Sequence, residues 1–435
     1  MREGSASQAV ALGLLALSLL SVVQVPSANA QFINGADVSW LPQMEAAGYV
    51  FKNRYGVQMN CLDVLKEEGI DAIRIRAWVD PIGGYCGTKY VTKLAREADS
   101  LGFNVLIDFH CSDTWADPGH QTIPAEWSDD SLPQLLTQMY NYIYGVMDTL
   151  KSVGVVPKWV QVGNETDNGM LWPLGEASTH MGNFAEMIDT GYAAIKAVDS
   201  TTQVIVHLSQ GNNDALYRRL FDGLRSYGAR WDIIGMSLYP AWVNLPWDED
   251  DSLAQITMKD MIARYHTKVM VVEAGYIYDQ PVRANHFLLD LIAKTKAAGG
   301  LGVFYWEPEC YNWQNYQLGA WDPRSGEPTV AMDAFLGTEA TAVDKSPSVP
   351  GYSFSVYPNP FNPSTTISYS LPLPARVSIT IYNVRGEEVR QLINGYELSG
   401  SHTVTWSPRN VSSGVYFCRI TAGGRVATVK MLLLK

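Results

Sequence analysis

The stretch VTKLAREADSLGFNVLIDFH, residues 91–110, carries the pattern on which the fold turns. Its first half places Val91, Leu94, Ala95, Ala98 and Leu101 at the three-and-four spacing of an amphipathic helix. Gly102 interrupts, and 104–110 is a short run of strand-forming residues. Outward from this unit the same alternation recurs. Strand-like runs at 33–39 and 72–79 precede it; runs at 159–165, 204–209, 232–239, 268–276 and 302–307 follow. Segments of helical period lie between them, such as 132–153 and 183–198. Eight runs alternating with helices over roughly 300 residues predict an α/β fold of the (β/α)8 TIM-barrel kind. An open doubly wound sheet also alternates, but no glycine-rich phosphate turn follows the first run.

The texture changes after Gly337. Residues 338–351, TEATAVDKSPSVPG, are small, polar and proline-containing, and read as a linker. From 352 to 435 the helical period is gone. Runs at 366–370, 377–383, 403–406, 415–421 and 425–434, with Gly, Pro and Asn turns between them, predict a small immunoglobulin-like β-sandwich. At the other end, residues 1–30 read as a secretory signal: Arg2, an apolar run over 10–25, and Ala28-Asn29-Ala30 as a small-x-small cleavage site. An uncleaved anchor is the alternative, although the run is short for a membrane span. The plan is therefore 1–30 signal, 31–337 barrel, 338–351 linker and 352–435 sandwich.

Composition bounds the function. Hydrophobic residues at 47% and charged residues at 17% suit a large buried core. A net charge of -12 argues against nucleic acid, whose binding draws on an excess of Lys and Arg. A neutral polysaccharide makes no such demand, and 13 Trp and 23 Tyr offer the flat faces on which sugar rings stack, even with most of them in the core. Five cysteines in an exported chain leave at least one unpaired. Cys61 and Cys86 are the expected disulfide pair; Cys111, Cys310 and Cys418 read as small buried hydrophobes.

In a barrel, function gathers where the strands end. Those ends supply Asp37, Arg74, Arg76, Trp78, Asp108, His110, Asn164, Glu165, His207, Tyr239, Glu273 and Trp306. Strand four closes on Gly163-Asn164-Glu165 and strand seven on Val271-Val272-Glu273, on opposing arcs of the barrel. Glycoside hydrolysis needs such a pair: one protonated carboxylic acid for the leaving oxygen and a second carboxylate across the bond. A separation of about 5 Å makes the second a nucleophile, whereas a wider gap leaves room for water. The bland alternative for each Glu is an ion pair with Arg74 or Arg76. Those arginines share a strand face, and a buried guanidinium demands an anion, with Asp108 and Glu273 as candidates. Which arginine meets which stays open. Tyr239 either orients Glu273 or is a core tyrosine. His110 and His207 lack a third ligand at metal spacing and read as polar walls of the site.

Several stretches resemble glycoside hydrolase family 53: GADVS at 35–39, IRIRAWV at 73–79, DFHCSDTWADPGHQ at 108–121, GNETDNGMLWP at 163–173, VVEA at 271–274 and FYWEP at 304–308. The resemblance spans about 32–336 and is most specific in DTWADPGHQ and in GNE with NGMLWP. It implies a (β/α)8 arabinogalactan endo-β-1,4-galactanase that retains anomeric configuration. Glu165 would be its acid/base, Glu273 its nucleophile, and Asn164 the partner of the sugar 2-hydroxyl. Asp37, Arg74, Arg76, His110, Trp115, Trp172, His207, Tyr239 and Trp306 would line the substrate site. Cys111 stands where the family commonly has Tyr, and Thr166-Asp167 where Ile-Thr is usual. The tail, with YPNPFNP at 357–363 and a closing Gly414-Val415-Tyr416 pattern, resembles the C-terminal sorting domain of type IX secretion cargo; a sugar-binding module is the alternative.

These readings predict a secreted or cell-surface monomer that acts on plant cell-wall galactan and is exported by outer-membrane secretion machinery. A glycosidase for xylan or mannan and a non-catalytic glycan-binding protein are the other readings. No cofactor is expected. The segment 277–283 after strand seven holds Asp279 as its only acid, whereas calcium takes six to eight oxygens, so no metal is expected either.

Overall fold

The computed structural model describes residues 31–243, 245–338, 353–371, 375–398, 400–408, 411–422 and 425–434. The expected signal segment and almost all of the expected linker lie outside the described residues. Among those described, no helix is long and apolar enough to cross a membrane.

Eight parallel strands close into a barrel in chain order: β1 (Ile33–Asp37), β2 (Ala72–Ala77), β3 (Asn104–Phe109), β4 (Trp159–Val162), β5 (Gln203–Leu208), β6 (Ile233–Leu238), β7 (Lys268–Ala274) and β8 (Gly302–Trp306), which returns to β1. Connecting helices include α1 (Leu41–Ala46), α2 (Cys61–Glu67), α3 (Thr88–Ser100), α4 (Leu132–Ser152), α5 (Ala177–Val198), α6 (Asp214–Ser226), α7 (Trp247–Tyr265) and α8 (Pro281–Ala298). The helix read from 91–101 is α3, whose Val91, Leu94, Ala95 and Ala98 are the buried stripe. All eight expected strands are present, each ending one to three residues sooner than the sequence pattern does. Trp78, His110, Asn164, Glu165 and Tyr239 fall in the trimmed residues, while Asp37, Arg74, Arg76, Asp108, His207, Glu273 and Trp306 stay within the strands.

The barrel interior is layered. Its lower layer is apolar, built from Ile33, Ala72, Leu106, Trp159, Ile205, Ile233, Met270, Val272 and Phe304. Phe304 lies opposite Gly35 in register, and a Cβ on Gly35 would fall 2.1 Å from its ring. Glycine on β1 thus lets a phenyl ring fill the barrel axis. One pleat further along the same strands the side chains become polar: Arg74 above Ala72, Asp108 above Leu106, Gln161 above Trp159, His207 above Ile205. On β7 the register slips between Met236–Val271 and Ser237–Glu273. This irregularity inserts one residue, so Glu273 joins the inner face although Met270 and Val272 already occupy it.

The tail forms two antiparallel sheets. One has the order β9 (Ser353–Tyr357), β10 (Thr365–Leu371), β13 (Gly400–Trp406); the other β12 (Glu388–Glu397), β11 (Ala375–Asn383), β14 (Gly414–Ala422), β15 (Arg425–Leu433). Ile367, Tyr369 and Trp406 from the first and Val377, Ile379, Cys418 and Met431 from the second share one core, as a β-sandwich requires. In the PNPFNP stretch the Asn359 amide donates to Lys430 O (2.8 Å) and its oxygen accepts from Leu432 N (2.9 Å), tying that loop to the last strand. Strands β9 and β12 were not expected from sequence. The exposed, polar stretch EVRQLINGYE of β12 shows why: an edge strand buries too little to alternate cleanly.

The expected Cys61–Cys86 disulfide is not formed. All five cysteines are free and buried. Cys61 begins α2 inside the main core, whereas Cys86 occupies a left-handed turn (φ 63°) against the Arg76 side chain.

Candidate active site

Two left-handed residues carry the chain out of β4: Gly163 (φ 78°) and Glu165 (φ 44°). Glycine adopts this region freely; glutamate does so at a cost, and such strain persists only where the surroundings impose it. Here they do. Thr166 N donates to His207 O (2.9 Å), Asp167 N to Glu165 O (2.9 Å), and the Gln121 amide to Asn164 O (2.8 Å). The DTWADPGHQ stretch is the clamp. Ala116 O accepts from Asn164 Nδ2 (2.9 Å), Ala116 N donates to His110 Nδ1 (3.0 Å), and Gln121 O accepts from Trp172 N (2.7 Å).

Arg74 organises the centre. It is fully buried on β2, with Nη1 2.7 Å from Asp37 Oδ2 and Nη2 2.8 Å from Asp108 Oδ2, 2.9 Å from Asn164 Oδ1 and 2.9 Å from Glu273 Oε1. The question between the two arginines is answered: Arg74 holds Glu273. Arg76 lies above it, and its nearest carboxylate is Glu307 at 3.5 Å, neither Asp108 nor Glu273. Four indoles surround its guanidinium instead, with ring centroids at 4.1 Å (Trp115), 5.4 Å (Trp78), 5.8 Å (Trp40) and 5.9 Å (Trp306). Trp115 and Trp306 remain partly exposed, so this aromatic box offers sugar-sized faces to the mouth. The Trp172 indole donates to Asn168 O (2.9 Å), and its backbone joins the centre through Gln121.

Two carboxyl groups face this network from opposite arcs. Glu273 takes a hydrogen bond from the Tyr239 hydroxyl (2.8 Å) on Oε2 and the Arg74 contact on Oε1. Burial pushes its pKa up to about 7, while Arg74 and Tyr239 draw it down. Glu165 has a single side-chain donor, the Ser237 hydroxyl at 2.7 Å. Burial first, and the Glu273 charge second, raise it well above the ordinary carboxyl range. Of the pair, Glu273 is the better site for negative charge and Glu165 the better site for the proton.

The flanking groups are neutral or paired. Burial resists charge on Asp108, yet Arg74 and His110 hold its pKa below the usual value. Burial lowers His110, and because its Nδ1 accepts from Ala116, its Nε2–H donates to Asp108 (3.0 Å). His207 is lowered well below its ordinary value, chiefly by burial and then by Arg74. The sequence reading brought the strand-end side chains from Asp37 to Trp306 to one mouth, but it missed Gln161 and Ser237. Strand parity could have found both: Gln161 shares a face with Trp159, and Ser237 with Ile233 and Gly235. Gln161 links Asp108 (2.6 Å), Asn164 (3.1 Å) and His207 (3.0 Å). Among the described residues no group of three or more His, Cys, Asp or Glu is placed to hold a metal ion.

Residues 33–286 match the profile of glycosyl hydrolase family 53, and 355–435 match a secretion system C-terminal sorting domain. The chain is 34% identical over 319 residues to a probable arabinogalactan endo-β-1,4-galactanase A of Aspergillus terreus, an alignment covering 67% of this chain and 89% of that enzyme. The family 53 catalytic domain of Ignisphaera aggregans superposes with a TM-score of 0.64 at 29% identity, covering 70% of this chain and 95% of that domain. A fungal β-1,4-galactanase does so with a TM-score of 0.66 at 26% identity, covering 70% and 99%.

Proposed function

Since the chain belongs to glycoside hydrolase family 53 and carries a C-terminal sorting domain for export, we propose that this glycosidase is a retaining endo-β-1,4-galactanase, with Glu273 as nucleophile and Glu165 as acid/base. The observation that carries the reading is the unequal bonding of the two carboxyls. Glu273 meets a guanidinium and a phenol, both of which favour its anion; Glu165 meets one hydroxyl and a neighbouring negative charge. The anion attacks the anomeric carbon while the neutral acid protonates the leaving oxygen. Glu165, now ionised, then takes a proton from the water that releases the glycosyl-enzyme. Asn164 supports this chemistry: Arg74 and Ala116 O fix its amide, whose second N–H has no partner among the described residues and can meet the 2-hydroxyl of the sugar. The substrate class rests on likeness to galactanases. In that reading the exported enzyme acts as a monomer on cell-wall galactan, and the tail engages the outer-membrane secretion machinery.

The test is incubation of the purified protein with linear galactan, xylan and mannan, followed by chromatography and by NMR of the first-formed anomer. Galactan-specific release of β-configured oligosaccharides is expected. Cleavage of xylan or mannan in preference would move the assignment to another glycan, and an α first product would end the retaining mechanism.

A further inference from the structure

The hydrogen bonds behind Glu165 have a direction, and it can be read from one end. His207 is fully buried at the end of β5. Its Nδ1 lies 3.0 Å from the Gln161 amide nitrogen and 3.4 Å from the backbone N–H of Glu165, both of which can only donate. It also lies 3.1 Å from Asn164 Oδ1, an acceptor already supplied with donors by Arg74 (2.9 Å) and Gln161 (3.1 Å), so the donors decide the tautomer. A ring nitrogen that receives donors carries no proton, and burial beside Arg74 keeps the ring neutral. The one ring hydrogen therefore sits on Nε2, 2.8 Å from Ser237 Oγ. Ser237, buried on β6, accepts that hydrogen. Its own single hydrogen has one remaining partner among the described residues, Glu165 Oε1 at 2.7 Å. The chain runs Gln161 and Glu165 N–H to His207, His207 to Ser237, and Ser237 to the Glu165 carboxyl.

From this one-way chain we infer that Ser237 is a positioning residue that confines the acid proton of Glu165 to a single oxygen, Oε2; the inference rests on the reading of Glu165 as acid/base. A proton on Oε1 would point at the serine hydrogen, two donors face to face. With Oε1 occupied, the carboxyl group cannot exchange its oxygens by rotation without breaking the bond to Ser237. The proton is thus held on the free oxygen, the one that can reach a glycosidic oxygen in the cleft. The same bond acts again in the second half of the reaction. Once Glu165 has given up its proton, the hydroxyl faces an anion, and a charge-assisted hydrogen bond is roughly twice as strong as a neutral one. Ser237 thereby favours the ionised form that must next receive a proton from water. It sets where the proton is and limits how high the acid's pKa can climb.

The inference is tested with Ser237→Ala and Ser237→Thr, by kcat/KM against pH on linear galactan and on a dinitrophenyl β-galactobioside, whose leaving group needs no proton. In Ser237→Ala the basic limb on galactan moves up by about one pH unit, the difference between a neutral and a charge-assisted bond. Galactan turnover at the optimum falls roughly tenfold through a misplaced acid, while the activated substrate stays within about twofold. Ser237→Thr keeps the hydroxyl and returns the limb to its wild-type place. A limb that does not move in Ser237→Ala, or equal losses on both substrates, overturns the proposal, because a purely structural serine would affect both alike. A limb displaced as far in Ser237→Thr as in Ser237→Ala overturns it too. Glu165→Ala separates the two readings. If that variant keeps the wild-type limb and galactan activity, the acid/base assignment has failed; if it loses them and the Ser237→Ala limb stays put, only the role of Ser237 has.

Discussion

The floor of the barrel and its mouth are made by the same eight strands, often one pleat apart, and they are held together by opposite means. On the floor Ala72, Leu106, Trp159 and Ile205 meet as hydrocarbon, packed around Phe304. Two residues on, Arg74, Asp108, Gln161 and His207 meet as a charged and hydrogen-bonded web. Hydrocarbon packing is non-directional, and a residue of similar volume can replace another at small cost. A buried charge layer has no such tolerance: each group must find its specific partner, and deleting one leaves the other uncompensated. The floor supplies a rigid support, and the mouth spends part of that stability on placing two carboxyls.

The sharpest separation comes from Glu273→Ala. Turnover on galactan is expected to fall on the order of 10⁴-fold or more, as when a covalent nucleophile is removed. Azide should restore part of it with inverted product, because a small anion can occupy the vacated space. The fold should survive, since Arg74 keeps Asp37 and Asp108 as counter-ions. Melting temperature and product analysis together check this; loss of folding along with activity would show that mouth and floor are not separable.

Phe304→Ala tests the opposite half. This ring is fully buried at the centre of the floor. Its removal should cost about 3–5 kcal/mol, by lost transfer energy and the cavity left along the barrel axis. Denaturant unfolding measures the loss, and the fraction that stays folded should keep a near-normal kcat. A collapse of kcat in fully folded protein would mean that floor packing sets the carboxylate geometry directly.

A third variant tests an acid the chemistry does not use. Glu309 is fully buried; its own backbone N–H and the Glu307 carboxyl lie nearest its oxygens, but neither oxygen has a partner in full hydrogen-bond geometry among the described residues. Burial pushes its pKa from 4.5 up to about 8, beside the buried Glu307. A raised folded-state pKa means that the fold takes up a proton, so the stability this group allows is full below pH 4.5 and is lost as pH rises through about 8. Glu309→Gln should therefore flatten the decline of melting temperature between pH 5 and pH 8.5. At the upper end it should gain on the order of a few kcal/mol over its effect at the lower end. An unchanged slope would show that Glu309 is not the proton-linked group.

How much of this was legible in the sequence follows from the same division. Periodicity reports burial, so the strands, the helix over 91–101 and the convergence of polar side chains at one mouth could be read directly. Pairing within the mouth could not. Arg74 and Arg76 each follow an isoleucine and share one strand face, yet one meets three carboxylates and the other four indoles. Glu273 was found by its place at a strand end, although its inward direction depends on an irregularity in β7 that no alternation pattern announces. Glu165 likewise depends on a left-handed turn held by residues from three other segments. Ser237 could be placed on the inner face by strand parity, but parity says only where it points; its bonds to His207 and Glu165 needed the structure.

The smallest expected effect concerns the rim of the mouth after β7. Only residues 275–280 separate Ala274 from α8, and Asp279 is their one acid, pointing into solvent. A calcium ion would need six to eight oxygens there. Protein groups already make the cross-link such an ion would provide. The buried Tyr305 hydroxyl accepts from Tyr276 N (3.2 Å) and donates to Leu318 O (2.9 Å), joining this connection to the one after β8, while Tyr278 N donates to Gln317 O (2.9 Å). Excess EDTA should therefore move the melting temperature by no more than about 1 °C, whereas Tyr305→Phe, which removes that clamp, should cost about 1 kcal/mol. A connection this short also adds little surface for distant sugar units, so digestion of linear galactan should run on to short oligosaccharides. A fall of several degrees in EDTA, reversed by added calcium, would place a cation at the rim, and accumulation of tetrasaccharide as the end product would place extra sugar-binding surface there.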